Sequence, residues 1–261
     1  MNNQLYDVLQ AGGPEPVYVY IRENIYRGNL PEFYDENDFP ELSELKAHWK
    51  EIRDEIFRVE SMSGQLTGHH TYNTPPISGE LNWTNFYLDN FMWRSHGNYD
   101  LFPFTSNLIR QIPNLTLASV SILSGQSTVN PHYGDTNGIV RCHLGLKIPA
   151  AYPECGIRVG NQERGWKEGE FVVFTEAHLH EVWNKTDERR YLLIIDIIPD
   201  FFKISKIRLS SKVLGAQTYI FMENKLKFLK KSPPVVAKSL YHLFSFLWRL
   251  YLPLQRKFRL K

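Results

Sequence analysis

Residues 130–149, NPHYGDTNGIVRCHLGLKIP, decide how this chain is read. Taken as a strand from Ile139 to Leu146, with side chains alternating between faces, the run puts Ile139, Arg141, His143 and Gly145 on one side. Val140, Cys142, Leu144 and Leu146 fall on the other, so one face is apolar and one carries cations. A buried guanidinium without an anion is unfavourable by several kcal/mol, so a cationic face inside a β-rich fold must meet a negative group. Residues 178–196, HLHEVWNKTDERRYLLIID, repeat the construction. His178, His180 and Val182 alternate there against Leu179, Glu181 and Trp183, and Arg190 opens a strand apolar enough to be buried on both faces. Two histidines suit a metal and two arginines suit a carboxylate.

Working outward, strands are expected at about 115–124, 139–148, 156–160, 170–174, 179–184 and 190–198, separated by the turn-rich SGQST, YGDTN, YPECG, KEGE and NKTDE. Many short strands at this spacing predict a sandwich or barrel. A helix should start at Pro40, because proline suits a first turn and Leu42, Leu45, Trp49, Ile52 and Ile56 recur at helical spacing; it should pack outside a sheet. Residues 81–94 predict a strand with its edges, and 103–112 a short helix stopped by Pro113. Trp83, Phe86, Tyr87, Phe91 and Trp93 are expected to fill the space between helices and sheet. The loop 61–80 carries His69 and His70, which read as surface histidines at a possible active-site mouth.

Two cysteines, Cys142 and Cys155, cannot build a disulfide framework, and the first residues lack a basic stretch followed by an apolar run, so a reducing, cytoplasmic setting is expected. The net charge of +2 hides an asymmetry: fourteen of the thirty basic residues but only Glu223 among the acidic ones lie after residue 202. Three segments follow: an N-terminal arm (1–38), a body (39–202) and a basic tail (203–261) of two helices divided at Pro233-Pro234. Ser239–Leu254 is apolar but shorter than the ~20 residues of a membrane span. It is read either as an amphipathic helix on an anionic membrane surface or as a helix packed on the acidic body. Nucleic-acid binding is not expected, since the cations belong to no recognisable module.

The ordered set Ser121, His132, Arg141-x-His143-Leu-Gly-Leu, Gly169-Glu-Phe-Val-Val-Phe, His180-Glu-Val-Trp and Arg190 resembles the aspartyl/asparaginyl β-hydroxylase family of Fe(II)- and 2-oxoglutarate-dependent oxygenases, which includes lipid A hydroxylases; weaker similarity spans roughly residues 30–200. The resemblance implies a double-stranded β-helix, a jelly-roll relative braced by helices on one sheet. It implies iron on His132 and His180, and 2-oxoglutarate held by Ser121, Arg141, His143 and Arg190. Arg190 would grip the distal carboxylate with Ser121, while Arg141 and His143 support the carboxylate beside the metal. The implied reaction uses O2 to decarboxylate 2-oxoglutarate and hydroxylate an unactivated carbon. The third iron ligand of a His-x-Asp/Glu pattern is absent, because residue 134 is Gly134; water or Asp135 could replace it, although a neighbour in a strand points to the opposite face. Basic residues that hold an acidic substrate in the animal enzymes are replaced by Ser119 and Ile139. An aspartyl/asparaginyl-type residue of a peptide or protein therefore stands first among substrates, beside a lipid acyl chain, with a non-catalytic jelly-roll binder as the contrasting class. His178 is read as a hydrogen-bonded structural histidine or a mouth residue. If the arginines are instead structural, Asp196 is the obvious acid on the face of Arg190.

Overall fold

The alternation read in the Val140 strand sorts the molecule into its layers. A computed structural model describes residues 15–21, 25–63, 77–78 and 83–259; His69 and His70 lie outside them. The strands are β1 (Phe33–Tyr34), β2 (Ile77–Ser78), β3 (Trp83–Asn90), β4 (Trp93–Arg94), β5 (Leu115–Leu123), β6 (Ser127–His132), β7 (Val140–Lys147), β8 (Cys155–Val159), β9 (Gln162–Arg164), β10 (Phe171–Phe174), β11 (His180–Asn184) and β12 (Arg190–Ile197). The helices are α1 (Ser43–Ala47), α2 (Trp49–Ser63), α3 (His96–Leu101), α4 (Pro103–Ile109), α5 (Lys206–Lys225) and α6 (Pro234–Phe258). One sheet runs β1-β10-β7-β12-β5-β3-β4 and the other β2-β6-β11-β8-β9, all neighbours antiparallel. From β5 to β12 the chain passes back and forth between the sheets, with only the β8–β9 hairpin staying in one. That is the winding of a double-stranded β-helix, the jelly-roll relative expected from the sequence.

The apolar face of β7 (Val140, Cys142, Leu144, Leu146) packs under Leu45, Ile52 and Ile56 of α1 and α2, as predicted for a helix outside the sheet. The other face looks between the sheets, where Leu123, Val129, Ile157, Phe174, Leu192 and Ile194 form a second core. Both cysteines are buried and free. α4 has no side-chain cap of its own; the buried Glu55 carboxylate of α2 accepts from Phe104 N (2.9 Å), Thr105 N (2.8 Å) and Thr105 Oγ1 (2.6 Å) instead, tying the two helices together.

Several expectations change. Helix 40–56 becomes a 3-10 turn (Pro40–Leu42), α1 and α2, because His48 closes the first piece against Glu44 O. The aromatics of 83–93 divide three ways rather than filling one space: Phe86 faces the helices, Trp83 and Tyr87 the interior, Phe91 and Trp93 the tail. β6 was hidden by Asn130 and Pro131 in a run that reads as turn; the two residues sit where the β6–β11 register slips, a place where a proline without an N–H does not interrupt the ladder. β9 is polar and exposed throughout and carries no strand signal. The arm contributes an edge strand, β1, and a bridge from Val19 to Thr136.

The tail helices pack on the body. Leu209, Val213 and Leu214 of α5 and Leu252 of α6 share a core with Ile139, Ile198 and Phe202. Gln255 of α6 imitates a strand partner, accepting from Arg94 N (3.2 Å) and donating to Arg94 O (2.8 Å). Buried Asp89 gathers Arg94 of β4, Arg256 of α6 and the Tyr99 hydroxyl.

Candidate active site

β6 ends at His132 and β11 begins at His180, and the register sets them opposite each other. Their ring centroids are 4.2 Å apart. Each Nδ1 is engaged by a carbonyl two residues upstream, His132 by Asn130 O (2.8 Å) and His180 by His178 O (2.9 Å). With Nδ1–H donating to the backbone, Nε2 keeps its lone pair, the tautomer a metal needs. Burial pushes the His132 imidazole down to about 4 and lowers His180 well below the ordinary histidine range, so both rings are neutral. Among the described residues no group of three His, Cys, Asp or Glu side chains gathers as a metal site.

Deeper between the sheets, donors stand without acceptors. Arg190 is buried, its guanidinium lies 4.8 Å from the Trp166 ring centre, and its Nε and Nη1 have no hydrogen-bond partner among the described residues. Trp166 Nε1 and both nitrogens of His143 are equally unpartnered. The His143 ring lies 6.0 Å from Trp166, nearly parallel, and 4.9 Å from Phe174 edge-on. Burial lowers the Arg190 pKa to about 10 and that of His143 well below its ordinary value. Ser121 shares the interior face, its Oγ accepting from Trp83 Nε1 at 2.9 Å, which leaves its O–H free to donate. Buried donors are nearly always satisfied in native structures, so a cluster of orphans built around an arginine fork fits a small carboxylate.

Arg141 is different, because its acids are already present. Its Nε and Nη2 meet Asp196 Oδ1 (2.8 Å) and Oδ2 (2.7 Å), and Nη2 lies 2.9 Å from Glu176 Oε2. Asp196 does share a face with Arg190, but six residues separate them, roughly 20 Å of strand, and the residue directly across from Asp196 is Arg141. Acids thus lie against Arg141, whereas among the described residues none is paired with Arg190.

Glu176, in the loop before β11, had no signal in the sequence. A Cβ on Gly134 would collide with Glu176 Cγ and lie 2.5 Å from Glu176 O, so the carboxylate side chain occupies the room that a residue-134 side chain would need. Asp135 lies in a bend rather than a strand; its N–H donates to Glu176 Oε1 (3.1 Å) and its Oδ2 accepts from Gln217 Nε2 of α5 (3.0 Å). His178 is bonded to Leu30 O (2.7 Å) and rests edge-on against Tyr26. An open cleft leads to His132 and Arg141, walled by Trp83, Tyr87, Leu117, Ser119, Ile194 and Gln217, whereas Ile139 is buried under the tail.

A sequence profile described as aspartyl/asparaginyl beta-hydroxylase matches residues 46–199. The ornithine lipid ester-linked acyl 2-hydroxylase of Rhizobium tropici is 34% identical over 170 residues, covering 64% of this chain and 60% of that protein. The human aspartyl/asparaginyl beta-hydroxylase is 31% identical over 168 residues, 62% of this chain and 22% of that protein. Aspartate beta-hydroxylase domain-containing protein 2 of Xenopus tropicalis is 29% identical over 175 residues, 64% of this chain and 43% of that protein. The chain thus spans less than two thirds of the length of each of these relatives, while the family profile covers more than half of the chain. With the ordered site residues on a double-stranded β-helix, these matches establish that the chain belongs to the aspartyl/asparaginyl β-hydroxylase family.

Proposed function

We propose that the protein is an Fe(II)- and 2-oxoglutarate-dependent oxygenase that hydroxylates an unactivated carbon of a lipid acyl chain. The observation that carries the reading is the buried Arg190 fork, without an acid of its own among the described residues, in the same interior as two facing neutral histidines. His132 and His180 would hold the iron through Nε2, because each Nδ1 is taken by the backbone. Arg190 would bind the distal carboxylate of 2-oxoglutarate in a two-pronged pair, with Ser121 donating beside it. His143 and Trp166 are unpartnered donors for the remaining oxygens. Bound iron, 2-oxoglutarate and O2 together supply the chemistry: the co-substrate leaves as succinate and CO2, one oxygen atom entering succinate and the other ending as hydroxyl on the substrate carbon. The chain orients the reactants and keeps water out by burial. Arg141 acts at one remove, by joining Glu176 at the cleft to the buried Asp196 behind it.

The substrate class rests on the cleft and on the relatives. Ser119 and buried Ile139 offer no cation to an acidic side chain, and Trp83, Tyr87, Leu117 and Ile194 give the cleft apolar walls. Both features favour an acyl chain over an aspartyl or asparaginyl residue, and one relative carries an acyl hydroxylase name. Such a substrate sits in a bilayer, so the reading requires access to a membrane surface through residues 203–261. The reaction is tested by incubating pure protein with Fe(II) and 2-oxoglutarate and measuring succinate. Slow uncoupled turnover, raised by acyl lipids and abolished in His180→Ala, is expected; failure to take up metal would mark a non-catalytic binder.

A further inference from the structure

The cations of α6 and of the residue after it point in different directions, with Lys257 lying over the Phe258 ring. Arg256 and Arg259 turn inward or sideways, onto Asp89 and Asp100 of the body. Lys238 and Arg249 are exposed and meet no acidic group among the described residues. α6 contains no Asp or Glu at all. Beside those two cations runs a ridge of Leu243, Phe246, Leu247, Leu250, Leu254 and Phe258, recurring every three or four residues and each left 47% to 59% exposed. The buried side of the same helix (Ala237, Leu252, Gln255) is spent on α5 and β4, so the ridge is a second apolar face rather than an edge of the core. The helix is locked in place by Gln255 and by Arg256 on Asp89, which fixes the direction in which the ridge points. Among the described residues no helix is long and apolar enough to cross a membrane.

A helix with one face on its own protein and another that joins half-exposed leucines and phenylalanines to unpaired cations fits the boundary of an anionic bilayer: acyl chains take the ridge and headgroup phosphates take Lys238 and Arg249. We propose that α6 is a peripheral docking helix, lying on an anionic lipid surface through the Leu243–Phe258 ridge. α5, which α6 holds against the body, also lends Gln217 to the cleft wall. Docking through α6 would therefore bring an element of the active-site mouth to the membrane that carries the substrate. The purpose of the docking rests on the acyl-lipid reading above; the docking itself does not.

The full chain is mixed with vesicles of phosphatidylcholine alone or with 30% phosphatidylglycerol (about that fraction suffices to make the surface anionic) and floated through a density step. Binding to the anionic vesicles is expected, weakened by salt, with little binding to the neutral ones. Leu247→Glu/Leu250→Glu should abolish flotation. Lys238→Gln/Arg249→Gln, which leaves the ridge untouched, should weaken it roughly 25-fold, at about fivefold per cation. Neither variant changes a core residue, and each should keep the wild-type melting temperature and the uncoupled succinate rate, which separates loss of docking from loss of the oxygenase site. Equal binding to neutral vesicles, or flotation unchanged in both variants, would overturn the proposal. So would a dimer in solution that Leu247→Glu/Leu250→Glu dissociates, because a second copy would then cover the ridge.

Discussion

Replacing Arg190 by methionine separates a co-substrate cradle from a structural arginine. Burial lowers the guanidinium pKa from its ordinary range to about 10. At about 1.36 kcal/mol per unit, this disfavours the charged form in the fold by roughly 3 kcal/mol. The cation is penalised at every pH below its folded value, so the whole penalty is present at pH 7 and does not vary with pH near neutrality. Against it stands the contact with the Trp166 face at 4.8 Å, worth about 2 kcal/mol when desolvated. Methionine keeps the packing on Trp166 and removes the buried charge, so ligand-free Arg190→Met should be as stable as the parent or about 1 kcal/mol more so, a rise of some 2–4 °C for a domain of this size. With 2-oxoglutarate the order reverses. The parent should gain about 2.7 kcal/mol at a hundredfold excess over Kd, whereas the variant should lose roughly 30-fold to several thousandfold in affinity, as expected when one side of a buried charge pair is removed. Thermal melts with and without 2-oxoglutarate, in the presence of redox-inert Zn(II), read both effects. A ligand-free variant melting several degrees lower would mean that Arg190 has a structural partner, and an undiminished response to 2-oxoglutarate would put the cradle elsewhere. Either result refutes the reasoning.

Asp196→Asn removes the two-pronged carboxylate partner of Arg141 and should lower stability by about 3 kcal/mol in urea unfolding, since burial pushes the neighbouring Glu176 up to about 8 and leaves it mostly protonated at neutral pH. Gly134→Ala should be destabilising by about 1–3 kcal/mol, because the added Cβ meets Glu176 Cγ and O; an unchanged melting temperature would show that Glu176 moves aside freely. Gln255→Ala strips the Arg94 main chain of both partners, so amide hydrogen exchange in residues 234–258 should accelerate, on the order of 1–3 kcal/mol of local stability, while β7 and β12 stay protected.

Most strands were legible because a buried β-strand writes a period of two into its residue types. β5, β7 and β12 carry that signal or a continuous apolar run, and the apolar face of β7 does lie under the predicted outer helix. β6 and β9 were not, since their pairing is fixed by partners distant in the chain and their own residues are polar or turn-forming. His132 and His180 could be singled out by their place in the ordered pattern, and Arg190 by the burial of its strand. That Arg141 and Arg190 differ could not be read along the chain, as both are arginines on interior faces.

Sequence alone determined which residue types alternate, where the chain must turn, how charge divides between body and tail, and which family the ordered site residues belong to. These are local or compositional properties, and they survive without knowledge of what packs against what. The tertiary structure decided everything that depends on partners across the fold: Asp196 opposite Arg141 by register, Glu176 in the space above Gly134, Trp166 beneath an unpaired Arg190, and the tail docked on Asp89 with a second apolar face left outward. Whether a buried charge is satisfied is a question of a few ångströms in three dimensions, and a one-dimensional pattern does not contain that distance.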